Sequence, residues 1–89
     1  MMERVVEVVN ELGLHARAAA RLVQTAKQFR SDVVLRVAGR ETEARSILGV
    51  LLLGAGRGSR LTVRCVGEDA QDALAAVCNL IESRFGEES

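Results

Sequence analysis

The chain has 89 residues, 48% hydrophobic and 27% charged, a composition typical of one small globular domain. Twelve Lys and Arg balance twelve Asp and Glu, and the only aromatic residues are Phe29 and Phe85, so neither charge nor base stacking favours nucleic-acid binding. Cys65 and Cys78 lie in apolar segments without a C-x-x-C spacing, which predicts free thiols and no zinc site.

The first part of the chain predicts a strand, a helix and a second strand. The stretch from Arg4 to Val9 is short and rich in β-branched valines, which indicates a strand. From Ala16 onward apolar residues recur at three- and four-residue steps, which predicts a helix. The inner face of this helix consists of Ala19, Leu22, Val23, Ala26 and Phe29. Alternation from Val33 to Val37 then predicts a half-buried strand.

The middle of the chain predicts a hairpin and a short apolar helix. The pair at 38–39, Ala-Gly, is a turn candidate that leads into a short polar strand from Arg40 to Ala44. Ser46 is the predicted N-cap of a strongly apolar helix that Gly54 closes, followed by a glycine-rich loop. A fourth strand, with Leu61, Val63 and Cys65 on one face, follows this loop.

A last helix is predicted after Gly67, which ends the fourth strand. Asp69 is its expected N-cap, and Asp72 adds negative charge to its first turn. The predicted inner stripe consists of Leu74, Val77, Cys78, Ile81 and Phe85. The order βαββαβα indicates an α+β fold in which helices cover one side of a single antiparallel sheet.

The sequence shows no targeting or membrane segment. The N-terminus lacks a basic region followed by a long apolar one, so no signal peptide is predicted. The longest apolar run, from Ile47 to Ala55, is too short to span a bilayer. We therefore expect a cytoplasmic protein that does not insert into membranes.

The only histidine, His15, comes immediately before the first predicted helix. Unpaired backbone N–H groups and the helix dipole favour an anion such as phosphate at that point. Arg17 adds a permanent charge and planar donors that suit phosphate oxygens, and an imidazole nitrogen can carry a group covalently. These features predict a phosphoryl-carrying histidine, although a lone histidine at a helix start is more often a surface cap. We expect no carboxylate partner from the residues beside His15, so hydrolytic catalysis is not predicted.

The outer face of the same helix is basic. Arg17, Arg21, Gln24 and Lys27 recur at helical spacing opposite the apolar stripe. A basic face of this kind is usually just solvated, but beside a phosphate site it would also guide acidic partner proteins.

The second predicted helix carries no charge between Ser46 and Arg57. One short helix cannot bury every side of itself, so we expect part of its apolar set in the core and part in an exposed docking patch. The residues concerned are Ile47, Leu48, Leu51 and Leu52.

Two stretches, GLHARAA at 13–19 and RSILGVLLLGAGRGS at 45–59, resemble the HPr family, the histidine-containing phosphocarriers of the bacterial phosphoenolpyruvate-dependent phosphotransferase system. The resemblance covers essentially the whole chain, 1–89, as a single phosphocarrier domain. It implies an open-faced β-sandwich, a four-stranded antiparallel sheet with three helices on one face. It also implies a monomeric carrier without a cofactor, not an enzyme.

The resemblance further implies roles for individual residues. His15 would accept a phosphoryl group on Nδ1 from phosphorylated enzyme I and donate it to IIA domains of sugar permeases. Arg17 and the backbone of Ala16 and Arg17 would stabilise the phosphate. Ser46 would be phosphorylated by HPr kinase/phosphorylase, which promotes binding of a transcriptional regulator. The partner-docking positions would be Arg21, Gln24, Lys27, Ile47, Leu48, Leu51 and Leu52.

One position departs from the family pattern, which has proline where this chain has Ala18. Proline fixes φ in advance in the first turn of a helix, so alanine at this position lowers the free energy of unfolding by roughly 0.4–1 kcal/mol. We expect the site to survive this change. The stretches VVNELGLHAR and LAAVCNLIESRFGEE also resemble nitrogen-branch paralogues, so a regulatory binding module acting through Ser46 is an alternative. The presence of His15 and Arg17 favours the relay. A nucleic-acid-binding domain is disfavoured by the neutral charge.

Overall fold

The computed structural model describes residues 1–88, in which four strands form one antiparallel sheet. The strands are β1 (Met2–Glu7), β2 (Asp32–Val37), β3 (Arg40–Glu43) and β4 (Arg60–Val66). The helices are α1 (Ala16–Lys27), α2 (Ile47–Leu52) and α3 (Ala70–Glu82), followed by a 3₁₀ turn at Arg84–Gly86 that we call the C-terminal turn. The predicted element order and the open-faced sheet with three helices are therefore confirmed.

The two central strands supply the middle of the core. The spatial order is β1-β4-β2-β3, and β4 pairs with both β1 and β2. Leu35 lies opposite Val63 and Val33 opposite Cys65, and all four side chains are at most 3% exposed. Strand residues alternate between faces, so this register turns one apolar set toward the helices. α1 and α3 bury their apolar stripes against it.

The β2–β3 hairpin turns at Ala38 and Gly39, as the sequence predicts. Their φ angles are +50° and +81°, and positive φ at both central residues is the requirement of a type I′ turn. Glycine adopts this conformation readily, whereas Ala38 is held in it by the pairing of Val37 with Arg40 on either side.

The first strand is displaced from its predicted position: it begins at Met2 instead of Arg4 and ends at Glu7 instead of Val9. Pairing with β4 decides this, because Met2 lies opposite Cys65 and Glu7 opposite Arg60. Beyond Glu7 the chain continues against a loop: Val8 donates its N–H to Ser59 O at 2.9 Å and accepts from Gly58 N at 2.7 Å.

Neither aromatic residue lies on the α-helix predicted to carry it, so that prediction is wrong for both. α1 ends at Lys27 with Gln28 as C-cap, and Phe29 is a half-buried residue packed against the core from outside the helix. Phe85 lies in the C-terminal turn with a φ of +56° and is 1% exposed. Apolar spacing reports which residues are buried, but a chain that has left a helix can still turn an aromatic ring into the same core.

Asp69 precedes α3 as predicted, but its side chain does not cap the helix. Its carboxylate accepts hydrogen bonds from Arg30 N and Ser31 N, both at 2.9 Å, and from the Ser31 hydroxyl. Ser31 is fully buried and needs these partners. Bonding from the Ser31 hydroxyl and the Arg30 N–H lowers the pKa of Asp69 to about 2. The carboxylate therefore ties the start of α3 to the start of β2.

Cys65 and Cys78 are buried free thiols, as predicted. Burial, with smaller contributions from Cys78 and Asp69, raises the pKa of Cys65 to about 11, so its thiol stays protonated. Within residues 1–88 no three His, Cys, Asp or Glu side chains cluster so as to hold a metal ion. In the same range no helix combines the length and apolarity needed to cross a membrane.

Candidate functional site

His15 is the N-cap of α1. Its backbone is extended, with φ −75° and ψ 178°, and its carbonyl oxygen accepts from Ala19 N at 2.8 Å. The imidazole Nδ1 accepts a hydrogen bond from Arg17 N at 3.3 Å, so the histidine fills the place that Ser, Asp or Asn usually takes. The Nδ1 lone pair therefore points into the positive end of the helix. The side chain is 26% exposed.

The loop before His15 is held against the loop that follows α2. Leu14 donates its N–H to Ala55 O at 3.0 Å and is itself buried. Gly13 has a φ of +64°, and a Cβ there would lie 2.6 Å from Ala55 O, so this close approach requires glycine. Two loops that are distant in sequence thus fix the position of the imidazole.

The other imidazole nitrogen, Nε2, contacts the carboxylate of Glu87, a residue 72 positions away in the chain. The Glu87 side chain is only 13% exposed, and its Oε1 accepts from Asn10 Nδ2 at 3.0 Å. Partial burial pushes the pKa of Glu87 upward, but the hydrogen bonds from Asn10 and His15 and the positive charge of Arg21 outweigh it and lower the pKa. No local pattern in the sequence links this carboxylate to His15, so Glu87 is not among the predicted site residues.

His15 opens onto a surface cavity of about 560 Å³. Its lining consists of Glu11, Leu12, His15, Ala16, Arg17 and Glu87. Ala16 and Arg17 are the first two residues of α1, where backbone N–H groups have no partner within the helix. The cavity therefore combines a ring nitrogen with helix-start N–H groups and a guanidinium, a set that can hold a phosphoryl group.

The predicted basic face exists: Arg17, Arg21, Gln24 and Lys27 are all exposed on α1. Arg21 also contacts the C-terminal turn, because its Nη1 donates to the carbonyl oxygen of Phe85. The basic face is thus connected to the segment that carries Glu87.

Ser46 is the N-cap of α2 as predicted, and its hydroxyl accepts a hydrogen bond from Gly49 N at 3.0 Å. The four apolar residues expected to be divided between core and surface are all on the surface, between 37% and 67% exposed, so the expected core share is wrong. The core receives Val50 and Leu53 instead. The exposed set, which we call the apolar patch, consists of Ile47, Leu48, Leu51 and Leu52.

Close packing of α2 on β3 explains this orientation. A Cβ at Gly49 would lie 1.9 Å from Thr42 Oγ1, so α2 lies so close to β3 that any side chain at position 49 would force Thr42 to move. The face opposite to this contact is left to solvent. The apolar patch is therefore exposed on a helix that contacts α1, the helix that carries the basic face.

Known proteins are similar to this chain in both sequence and fold. The family model described as the PTS HPr component phosphorylation site matches residues 2–83. Phosphocarrier protein HPr of Xylella fastidiosa is 48% identical over 89 residues, the full length of both chains. Phosphocarrier protein NPr of Shewanella violacea is 40% identical over 88 residues, covering 99% of this chain and 97% of that one. The crystal structure of HPr from Thermoanaerobacter tengcongensis covers 100% of both chains with a TM-score of 0.96 and 40% identity.

Proposed function

This chain belongs to the PTS HPr family, and on that premise we propose that it carries a phosphoryl group on His15. The group would come from phosphorylated enzyme I and pass to IIA domains of sugar permeases. The observation that carries this proposal is the position of Nδ1, which accepts the Arg17 N–H at the start of α1 and borders an open cavity. The protein would serve as a carrier and not as an enzyme.

The chemistry needs little from the protein beyond position and charge. The Nδ1 lone pair of His15 attacks phosphorus, the new N–P bond forms as the donor's N–P bond breaks, and the electron pair returns to the donor ring. The Arg17 N–H, released from Nδ1, and the neighbouring Ala16 N–H then face the phosphate oxygens, with the Arg17 guanidinium beside them. A loose transition state of this kind is stabilised mainly by such donors. Onward transfer reverses the same steps.

Partner binding would use the basic face and the apolar patch together. Arg17, Arg21 and Lys27 would guide an acidic partner, and the exposed leucines of α2 would supply the buried centre of the contact. The same surface would serve enzyme I and the IIA domains in turn. We propose a monomer in the cytoplasm, since both donor and acceptor must reach the cavity.

Ser46 is proposed as a regulatory phosphorylation site for HPr kinase/phosphorylase. Its side chain is exposed at the start of α2, next to the apolar patch. A phosphate there is tolerated locally by the helix start, but its charge would repel an acidic partner and offer a transcriptional regulator a new contact.

A nitrogen-branch or catabolite-regulatory role is the second candidate. Similarity to an NPr and the presence of Ala18 in place of the family proline favour it. The rate of phosphoryl transfer from the phosphorylated chain to a sugar-type IIA domain and, separately, to a nitrogen-type IIA domain distinguishes the two roles. The acceptor that is phosphorylated faster identifies the branch.

Intact-mass measurement after incubation with phosphoenolpyruvate, Mg²⁺ and a bacterial enzyme I tests the proposed function. We expect a gain of one acid-labile phosphoryl group that His15→Ala abolishes. An HPr known to accept from the same enzyme I serves as the positive control. No gain in this chain or in Ala18→Pro, with the control phosphorylated, would contradict the relay.

A further inference from the structure

The C-terminal turn holds Glu87 beside His15 by an unusual backbone path. Arg84, Phe85 and Gly86 have φ angles of +61°, +56° and +78°, so three successive residues are left-handed and two of them are not glycine. Such conformations are costly, and they persist only where surrounding contacts impose them. Phe85 is 1% exposed, and its carbonyl oxygen accepts from Arg21, so the turn is anchored on both sides. The residue delivered by this anchored turn is Glu87.

The buried side-chain amide of Asn10 also holds the Glu87 carboxylate. Asn10 is fully buried and donates from Nδ2 to Glu87 Oε1 at 3.0 Å and to Gly13 O at 2.8 Å. Its Oδ1 has no hydrogen-bond partner within residues 1–88. Burying an amide with an unpaired oxygen is unfavourable, so the value of Asn10 lies in its two donated hydrogen bonds. These bonds join the loop that precedes His15 to Glu87.

We propose that Glu87, held by Asn10, is a positioning residue that orients the His15 ring and keeps the ring proton on Nε2. This inference rests on the proposed function and deepens it. Nδ1 accepts the Arg17 N–H, and a neutral imidazole has one donor and one acceptor nitrogen, so the contact with Glu87 is made by Nε2–H. A carboxylate on one ring nitrogen sets the tautomer and orientation of the other.

The contact with Glu87 also places a negative charge beside the ring while the ring is positively charged during the transfer. When Nδ1 bonds to phosphorus, the ring becomes a cation with its proton still on Nε2, next to the Glu87 carboxylate. When the group leaves, the N–P electron pair returns to the ring and restores the neutral imidazole. No proton has to enter or leave the site in either step. The carboxylate thus stabilises a charge that exists only while the phosphoryl group is arriving, bound or departing.

Two measurements on Glu87→Ala, Glu87→Gln and the control Glu88→Gln test the proposal. Glu88 is the next carboxylate along the chain and is exposed. The first measurement is the ¹H–¹⁵N NMR signal of Nε2–H at about pH 8.5, above the usual titration range of histidine. The second is the rate of phosphoryl transfer from enzyme I, separated into kcat and KM.

We expect a downfield, slowly exchanging Nε2–H signal in the native protein and in Glu88→Gln that is lost in Glu87→Ala. The kcat of Glu87→Ala should fall on the order of tenfold to a hundredfold with little change in KM, the size of effect that orienting partners of histidine have. Glu87→Gln, which keeps an acceptor oxygen without the charge, should lie between, and it decides the question if Glu87→Ala does not fold.

An unchanged Nε2–H signal, or a lost signal with an unchanged kcat, would overturn the positioning role. The NMR measurement needs no phosphoryl donor. A native chain that shows the signal but accepts no phosphoryl group would therefore contradict the proposed function and leave the contact with Glu87 established.

Discussion

α1 and α2 begin in the same way but differ in everything around that beginning. In α1 the His15 ring accepts from Arg17 N at 3.3 Å, and in α2 the Ser46 hydroxyl accepts from Gly49 N at 3.0 Å. His15 is also held from its far side by Glu87 and opens onto a cavity, whereas Ser46 is exposed beside leucines. A cap is a local device that a short sequence specifies. A reactive site needs further groups from distant parts of the chain.

The two helix starts should differ most in the rate of phosphoryl transfer, and the largest loss of rate is expected from a substitution at Arg17. Arg17→Gln removes a charged donor beside the phosphoryl position, and loss of one such donor lowers transfer rates by about a hundredfold. The matched control is Arg36→Gln, an exposed arginine on β2 that lies outside the basic face, which should change the rate only slightly. Stopped-flow transfer from phosphorylated enzyme I measures both, and equal losses in the two variants would show that Arg17 acts only through general charge.

The third helix start extends the comparison, because Asp69 bonds to Ser31 and Arg30 instead of capping α3. Its pKa is lowered to about 2, so its contribution to stability is present above the unfolded value of about 3.9 and is lost as pH falls toward 2. Urea unfolding between about pH 5 and pH 2 should show this loss in the native chain and a flatter profile in Asp69→Asn. Parallel profiles would contradict the assignment.

A smaller effect is expected from Ser46→Ala, which removes the cap of α2. The free energy of unfolding should fall by about 1 kcal/mol, while the rate of His15 phosphorylation stays close to native. Ser46→Asp keeps an acceptor at the cap, so its stability should remain near that of the native chain, but its added charge should weaken binding of an acidic partner. Chemical denaturation and a binding titration measure the two. An unstable Ser46→Asp would show that the hydroxyl is needed for more than capping.

The smallest effect is expected from Ala18→Pro, which restores the family residue in the first turn of α1. The unfolded chain loses freedom, so the free energy of unfolding should rise by about 0.4–1 kcal/mol. Thermal unfolding measures the change. Ala18 is fully buried, and a loss of stability would mean that its surroundings leave no room for the proline ring.

Local patterns predict much of this molecule. Apolar periodicity predicted α1, β2 and β4, and the position of Ser46 before an apolar run predicted the cap of α2. These features depend on residues within one or two turns of each other, where the physical cause is visible in the sequence. The resemblance to the HPr family, carried by two short motifs, is confirmed by the family model.

The remaining features depend on contacts between distant segments. Asp69 has the right place and residue type for a cap, but the buried Ser31 claims its carboxylate. Phe85 has helical spacing but lies within the left-handed C-terminal turn. Glu87 reaches His15 only because that turn and Asn10 bring it there, across 72 residues. None of these contacts leaves a local pattern, so the carboxylate at the site could not be predicted from the sequence.

The most direct test of the account identifies the nitrogen that carries the phosphoryl group. ¹⁵N NMR of the phosphorylated chain, labelled at histidine, distinguishes the two ring nitrogens by their chemical shifts and by coupling to ³¹P. We predict phosphorus on Nδ1 of His15, with the proton on Nε2 facing Glu87. Phosphorus on Nε2 would contradict the account, because that nitrogen is the one committed to the carboxylate.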